Sequence, residues 1–297
     1  MKIFYGTSKQ KLDVTDRCAE LTYDGILTIP AGDANRAALL SDPIPGVLKY
    51  IYVHDGKNVS KYDATNEITI NTRTGQHLFH VIDQRLNSLQ QRLSLKYGTF
   101  QEEVPEQKMA VRFLQGHEKV LEIGGNIGRN TMIIASLLQQ NAFVTLETDS
   151  EIARQLQENR DSNTFNFPIE NSALSTRRMI QKGWDSKHSD VLEAGYFWVN
   201  TITYNELVIK YGIDFDTLVA DCEGALYYIL LDMPEMLTNI NLILMENDYH
   251  ELSHKQTLDA ILTRYGFERI YVEGGGWGPC TANFFEAWRK PIYKKIL

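Results

Sequence analysis

Acidic residues end several short apolar runs in this chain, a position from which carboxylates can bind a ligand or accept a proton. Asp221 and Glu223 follow the run 218–220, and Glu246 ends a later run. Because the carboxyl ends of parallel strands share one edge of a sheet, we expect these acids and His250 to gather there. These four side chains are the candidates for a general base, with Asp221 as the first choice.

A glycine-rich turn follows another apolar run, 120–123. Gly124, Gly125 and Gly128 surround Asn126, and helical periodicity begins at residue 130. Glycine lets the backbone approach a ligand closely, and a helix N-terminus supplies free N–H groups. The pattern predicts the opening βα unit of a nucleotide-binding sheet. Asn126 stands where the dinucleotide fingerprint has its second glycine, so the turn is not that fingerprint.

Two acids indicate which ligand this turn binds. Glu122, two positions before Gly124, would repel a pyrophosphate but hold the amino group of an amino-acid-like cofactor. Glu147 closes the next apolar run, where a ribose diol is usually bound. Together they favour S-adenosylmethionine over NAD. Further residues assigned to this cofactor are Thr148, Ser172, Ala173 and Asp221.

The composition is that of a folded protein with one large or two modest domains. The chain has 297 residues, 43% of them hydrophobic, enough for a sizeable core. A net charge of −8 argues against nucleic acid or an anionic membrane surface as a partner. The chain has no apolar run of membrane-spanning length and no signal-peptide pattern, so we expect a cytoplasmic protein. The sequence leaves open whether the chain forms a homo-oligomer.

The sequence predicts no metal site. The three cysteines have no paired ligand spacing. His77 and His80, and likewise His250 and His254, are spaced to share a metal, but neither pair has an evident third ligand. We expect solvated helix residues instead.

The elements that must position the candidate residues fall into three segments. Residues 1–75 alternate β-prone runs with turns, which predicts a small antiparallel sandwich or barrel as an accessory domain. Residues 76–108 are a helical linker, with an amphipathic helix over 76–95. Strands and helices alternate from 109 to 297, including a short helix at 204–211. This last segment has a loop or hairpin at 175–195 and ends in two antiparallel strands.

Three motifs in sequence order resemble the FkbM family of class I S-adenosylmethionine-dependent methyltransferases. Val120-Leu-Glu-Ile-Gly-Gly-Asn-Ile-Gly128 is similar to the cofactor loop of that family, and Ala220-Asp-Cys-Glu-Gly-Ala225 resembles its Lys-x-Asp-x-Glu-Gly-Ala motif. Leu242-Ile-Leu-Met-Glu246 is similar to the strand that follows. The resemblance covers residues 110–290. It implies an α/β, Rossmann-like sheet of seven strands with one antiparallel strand, preceded here by the small β-rich domain.

The same resemblance implies an O-methyltransferase that acts on a hydroxyl of a sugar, glycan or glycosylated metabolite. Ala220 replaces the usual lysine of the family and Glu147-Thr148 replaces a Glu-Pro pair, so no role of that lysine is transferred. Two alternatives stay open. One is a non-catalytic glycan-binding or assembly protein with a methyltransferase-like domain. The other is a glycosyltransferase whose Asp214-Phe-Asp216 pair binds a metal–nucleotide.

Overall fold

The computed structural model describes residues 1–23, 25–56, 58–65, 67–78, 81–139 and 142–291. Its N-terminal part is rich in β-structure, as the sequence predicts. The elements are β1 (Lys2–Gly6), β2 (Lys11–Asp13), α1 (Thr15–Glu20), β3 (Ile26–Ile29), α2 (Asp33–Leu40), β4 (Tyr50–Asp55), β5 (Asn58–Tyr62), β6 (Ile68–Asn71) and β7 (His77–Leu78). They form two antiparallel sheets with the strand orders β2-β1-β4-β5 and β3-β6-β7.

Both N-terminal sheets contribute to one hydrophobic core, in which Tyr5 and Ile51 from one sheet join Leu27 and Ile70 from the other. Val272 of the C-terminal part completes this core, so the two parts of the chain pack together. The sequence pattern does not predict α1 and α2. The residues at the start of α2 are typical of turns, among them Gly32 with φ +85°, so the segment is predicted as a loop despite the short apolar stripe that follows.

Two helices connect the N-terminal sheets to the large sheet, α3 (Val81–Gln90) and α4 (Val104–Phe113). The helix predicted over 76–95 is therefore shorter, because residues 77–78 pair with β6 instead. Residues 79 and 80 lie outside the described residues, and with them the His77/His80 pairing. α4 has Pro105 in its first turn, where the missing N–H costs nothing. The predicted linker boundary at residue 108 falls inside this helix.

The remaining elements alternate between strands and helices. They are β8 (Val120–Ile123), α5 (Arg129–Leu137), β9 (Phe143–Leu146), α6 (Ser150–Ser162), β10 (Ile169–Glu170), β11 (Ala173–Leu174), β12 (Met179–Lys182), β13 (Asp185–His188), β14 (Phe197–Val199), β15 (Thr201–Ile202), α7 (Tyr204–Tyr211), β16 (Thr217–Ala220), α8 (Ala225–Asp232), β17 (Leu242–Glu246), α9 (Leu252–Arg264), β18 (Glu268–Glu273) and β19 (Phe285–Arg289). Short 3-10 helices cover Pro234–Thr238 and Gly278–Asn283.

Within the described ranges, seven of these strands form one sheet in the order β10-β9-β8-β16-β17-β19-β18. β19 is antiparallel to both of its neighbours, and the other pairings are parallel. The predicted Rossmann-like methyltransferase fold is thus confirmed. β8, β9 and β16 are buried on both faces, which explains their continuous apolar sequences.

The segment 175–195, predicted as a loop or hairpin, contains the antiparallel hairpin of β12 and β13, and β14 joins β12 from just beyond this segment to complete a small separate sheet. Five strands of the large sheet are parallel, so their carboxyl ends lie at one edge of it: β8, β9, β10, β16 and β17. Among the helices that the structure describes, none is both long and apolar enough to cross a membrane.

Candidate cofactor and catalytic site

The glycine turn after β8 packs directly against the end of β16. Gly124 has φ +87°, and a Cβ atom there would lie 1.6 Å from the carbonyl oxygen of Asp221. Gly128 has φ +99° and precedes α5, and a Cβ atom on it would lie 2.5 Å from Cδ1 of Leu156. Only glycine fits these two positions. The close packing places Asp221 beside the turn.

Glu147 lies at the end of β9 and is tied to the glycine turn. Its Oε2 accepts a hydrogen bond from the backbone N–H of Asn126 at 2.9 Å, and its Oε1 accepts one from the N–H of Asp149 at 2.9 Å. The Thr148 hydroxyl contacts Oε1 at 3.4 Å. Burial raises the pKa of Glu147 above its ordinary value. Oε2 keeps a lone pair that can accept a further hydrogen bond, and Oε1 gains one when the Thr148 hydroxyl, at 3.4 Å, turns away.

Asn171, which no sequence motif marks, follows β10 and connects that strand to the Glu147 turn. Its amide nitrogen donates to the carbonyl oxygens of Glu147 at 2.8 Å and Thr148 at 3.1 Å. The neighbouring Ser172 hydroxyl instead donates to Glu170 at 2.8 Å, and the Ala173 N–H donates to the carbonyl of Asn200 at 2.8 Å. Ser172 and Ala173 thus lie beside the predicted site with these groups already bonded within the protein.

Glu122 lies beneath the glycine turn. It is 2% exposed, and its Oε2 accepts a hydrogen bond from the Thr131 hydroxyl at 2.7 Å. Burial raises the pKa of Glu122 to about 7. In this arrangement the carboxylate supports the turn from within the core, in contrast to the direct contact with a cofactor amino group that the sequence predicts.

Glu103, just before α4, holds the turn from its other side. Its Oε1 accepts hydrogen bonds from the side-chain amide of Asn126 at 3.0 Å and from Arg129 at 2.8 Å. Asn126 adopts φ +46°, a left-handed conformation that asparagine tolerates better than most residues. Sequence reasoning missed Glu103 because it precedes the first strand of the large sheet.

The structure brings two of the four predicted catalytic residues together. Asp221 and Glu246 end the neighbouring strands β16 and β17, and Glu106 of α4 joins them. Burial raises the pKa of Asp221 well above its ordinary range, and the negative charge of Glu103 adds to the effect. Burial also raises the pKa of Glu246, and the adjacent Glu106 carboxyl group raises it further.

The other two predicted catalytic residues, Glu223 and His250, are exposed at the rim of this region. Glu223 has φ +51°. Partial desolvation raises its pKa above the ordinary value, and the charge of His250 opposes this shift without reversing it. The His250 ring lies 4.7 Å from the ring of Trp277. Between rim and cluster, Asp248 accepts a hydrogen bond from the Gly224 N–H at 2.7 Å, and burial raises its pKa to about 7.

Asp216 and His254, which the sequence patterns also mark, both make contacts within the protein. Asp216 precedes β16, so it lies at the opposite end of the sheet from the glycine turn, and its Oδ1 accepts the N–H of Lys119 at 3.0 Å. This placement removes the support for a nucleotide-binding acid pair in a glycosyltransferase. The ring of His254 stacks on Tyr227 at 3.9 Å.

Comparisons with known proteins return only distant similarities in structure. No protein-family model and no curated protein sequence matches the chain. A ribosomal protein L11 methylase from Lactobacillus delbrueckii subsp. bulgaricus is 13% identical, with a TM-score of 0.43, over 66% of this chain and 82% of that one. A putative O-methyltransferase from Klebsiella pneumoniae is 15% identical, with a TM-score of 0.41, over 71% of this chain and 90% of that one.

An O-methyltransferase from Bacillus cereus, in complex with SAH, is 14% identical, with a TM-score of 0.40, over 70% of this chain and 89% of that one. Similarities at this level identify neither a family nor a substrate. The assignment of the fold therefore rests on the strand order and on the single reversed strand β19.

Proposed function

We propose that this protein is an S-adenosylmethionine-dependent O-methyltransferase that methylates a hydroxyl of a sugar, glycan or glycosylated metabolite. The observation that carries the proposal is the junction of the glycine turn with Asp221 on one side and Glu147 on the other. The three unpaired cysteines agree with a reducing compartment, so we place the protein in the cytoplasm.

The residues at this junction fit the cofactor. Two backbone N–H groups orient the Glu147 carboxylate, which can accept hydrogen bonds from the two hydroxyls of a ribose. Acids lie on the opposite side, Asp221 and Glu246 among them, and a bound sulfonium cation would favour their ionised form, which burial alone disfavours. When bound, S-adenosylmethionine supplies an electrophilic methyl group on positively charged sulfur.

Asp221 is the group that we expect to take the proton of the acceptor hydroxyl. A base is most effective when its pKa lies near the working pH, and burial moves the pKa of Asp221 upward in that direction. Glu246 lies beside Glu106, and burial raises its pKa, so Glu246 is better suited to position the acceptor than to deprotonate it. The chain thereby aligns the nucleophile and receives its proton, which is most of what an in-line displacement requires.

A carbohydrate acceptor is supported by the motif resemblance and by exposed aromatic rings. Trp277 is 41% exposed beside His250 at the rim of the acid cluster. Trp184 and Trp198 are exposed on the small sheet of β12 to β14. Amphipathic rings of this kind can stack on the apolar face of a sugar.

The cofactor is tested by calorimetric titration with S-adenosylmethionine and S-adenosylhomocysteine, both in EDTA. We expect micromolar binding by the wild type and at least tenfold weaker binding by Glu147→Ala, which corresponds to about 1.4 kcal/mol. Glu235→Ala removes an exposed acid of the 3-10 helix Pro234–Thr238 and serves as the control. A folded wild-type protein that binds neither ligand would refute the proposal and favour a non-catalytic glycan-binding protein.

The acceptor is tested by transfer of a labelled methyl group from S-adenosylmethionine to neutral oligosaccharides, with RNA and protein as comparison acceptors. We expect label in the oligosaccharides, in an alkali-stable ether. Label found only in RNA or protein would reject the carbohydrate assignment and leave the cofactor assignment intact.

A further inference from the structure

Three carboxylates from separate elements converge beside the glycine turn. Glu106 lies in α4, Asp221 follows β16, and Glu246 ends β17, and one oxygen atom of each lies within 4.8 Å of the others. Carboxylates this close repel one another unless a proton or a cation lies between them. Oxygen atoms that share one divalent cation are spaced in this way, because Mg²⁺–O and Ca²⁺–O distances are about 2.0–2.6 Å.

Glu106 provides a second, independent indication of a ligand. The residue is 8% exposed, yet its Oε2 has no hydrogen-bond partner among the described residues. Buried polar atoms in folded proteins normally have a partner, so an unsatisfied carboxylate oxygen inside an acid cluster calls for a bound cation.

Among the residues that the structure describes, no lysine, arginine or histidine forms an ion pair with Glu106, Asp221 or Glu246. Arg129, which contacts the adjacent Glu103, is already paired with Glu103 and Glu102. The carboxyl oxygen atoms of the cluster therefore remain available to a ligand.

We propose that Glu106, Asp221 and Glu246 bind one divalent cation of the hard, oxygen-preferring class, Mg²⁺ or Mn²⁺. Three carboxylate ligands leave positions of an octahedral ion open for water and for oxygen atoms of an acceptor. The catalytic role rests on the proposed function: the cation would make a bound acceptor hydroxyl more acidic, and the Asp221 oxygen that does not bind the cation would take the proton.

The site is tested on the full-length protein, stripped with EDTA and without cofactor, by titration with Mn²⁺ and detection of free Mn²⁺ by electron paramagnetic resonance. We expect one Mn²⁺ per chain, and at least tenfold weaker binding by Glu106→Gln and by Glu246→Gln. Glu118→Gln is the matched control, because Glu118 is also buried but accepts the N–H groups of Gln115 and Gly116, both at 2.8 Å.

Thermal unfolding separates loss of the site from loss of the fold. In EDTA, Glu106→Gln should unfold at or above the wild-type temperature, because the substitution removes one of three like charges. Mg²⁺ should raise the unfolding temperature of the wild type and of Glu118→Gln, but not that of Glu106→Gln.

A wild-type protein that takes up no Mn²⁺ at millimolar concentration, or equal uptake by all variants, would overturn the proposal. Since cofactor titrations are run in EDTA and metal titrations without cofactor, either proposal can fail while the other stands.

Discussion

Replacement of Gly124 by alanine tests the contact between the glycine turn and β16, on which the whole site depends. Gly124 has φ +87°, and its added Cβ would lie 1.6 Å from the carbonyl oxygen of Asp221. The left-handed backbone alone costs an alanine about 1 kcal/mol. The overlap must be relieved by a backbone shift of the turn or of β16, which costs about 1–3 kcal/mol more. We therefore expect Gly124→Ala to destabilise the protein by about 2–4 kcal/mol.

Gly212→Ala is the matched control for this prediction. Gly212 ends α7 with φ +65°, and a Cβ atom there would meet nothing within 4 Å. It should lose only the backbone contribution, about 1 kcal/mol. Urea unfolding, monitored by circular dichroism and tryptophan fluorescence, gives both values. Equal destabilisation by the two substitutions would show that the turn does not pack on β16 as described.

Two further predictions concern residues around the turn. The folded protein holds the Glu122 proton up to about pH 7, whereas the unfolded chain releases it near the ordinary value of 4.5, so wild-type stability falls as the pH rises between these values. Between pH 4.5 and pH 8, Glu122→Gln should gain about 3 kcal/mol relative to the wild type in urea unfolding, and a constant difference would contradict the buried position of Glu122. Asn171→Ala should weaken binding of S-adenosylhomocysteine about tenfold in calorimetry, because the Glu147 turn loses two hydrogen bonds. Unchanged affinity would separate Asn171 from the cofactor site.

Local patterns predict the parts of the fold that local interactions determine. The helix predicted at 204–211 is α7, because Thr203 and Glu206 form a capping box and Gly212 ends the helix in a left-handed conformation. The glycine turn is likewise determined by residues that are close together in the sequence. By contrast, α2 packs against the distant strand β18, and nothing in its own short segment indicates that partner.

The sequence does not predict every residue of the site or its orientation, for two physical reasons. β8 is buried on both faces, so alternation along the strand does not tell which way Glu122 points. Glu103 and Glu106 come from the start of α4, and only the packing of that helix across the sheet edge brings them to Asp221 and Glu246. Motifs at strand ends cannot reveal a ligand that a separate helix supplies.

The concentration of acids at this edge bears on which acceptors the protein can use. Burial raises the pKa of Glu103, Asp221, Glu246 and Asp248 in the same direction, and their charges oppose one another. An anionic acceptor such as a phosphorylated sugar or a nucleic acid would add to this repulsion, whereas a cationic cofactor or a divalent cation relieves it. We therefore expect a neutral polyol to be the preferred acceptor, and phosphorylation of that acceptor near its reactive hydroxyl to raise KM.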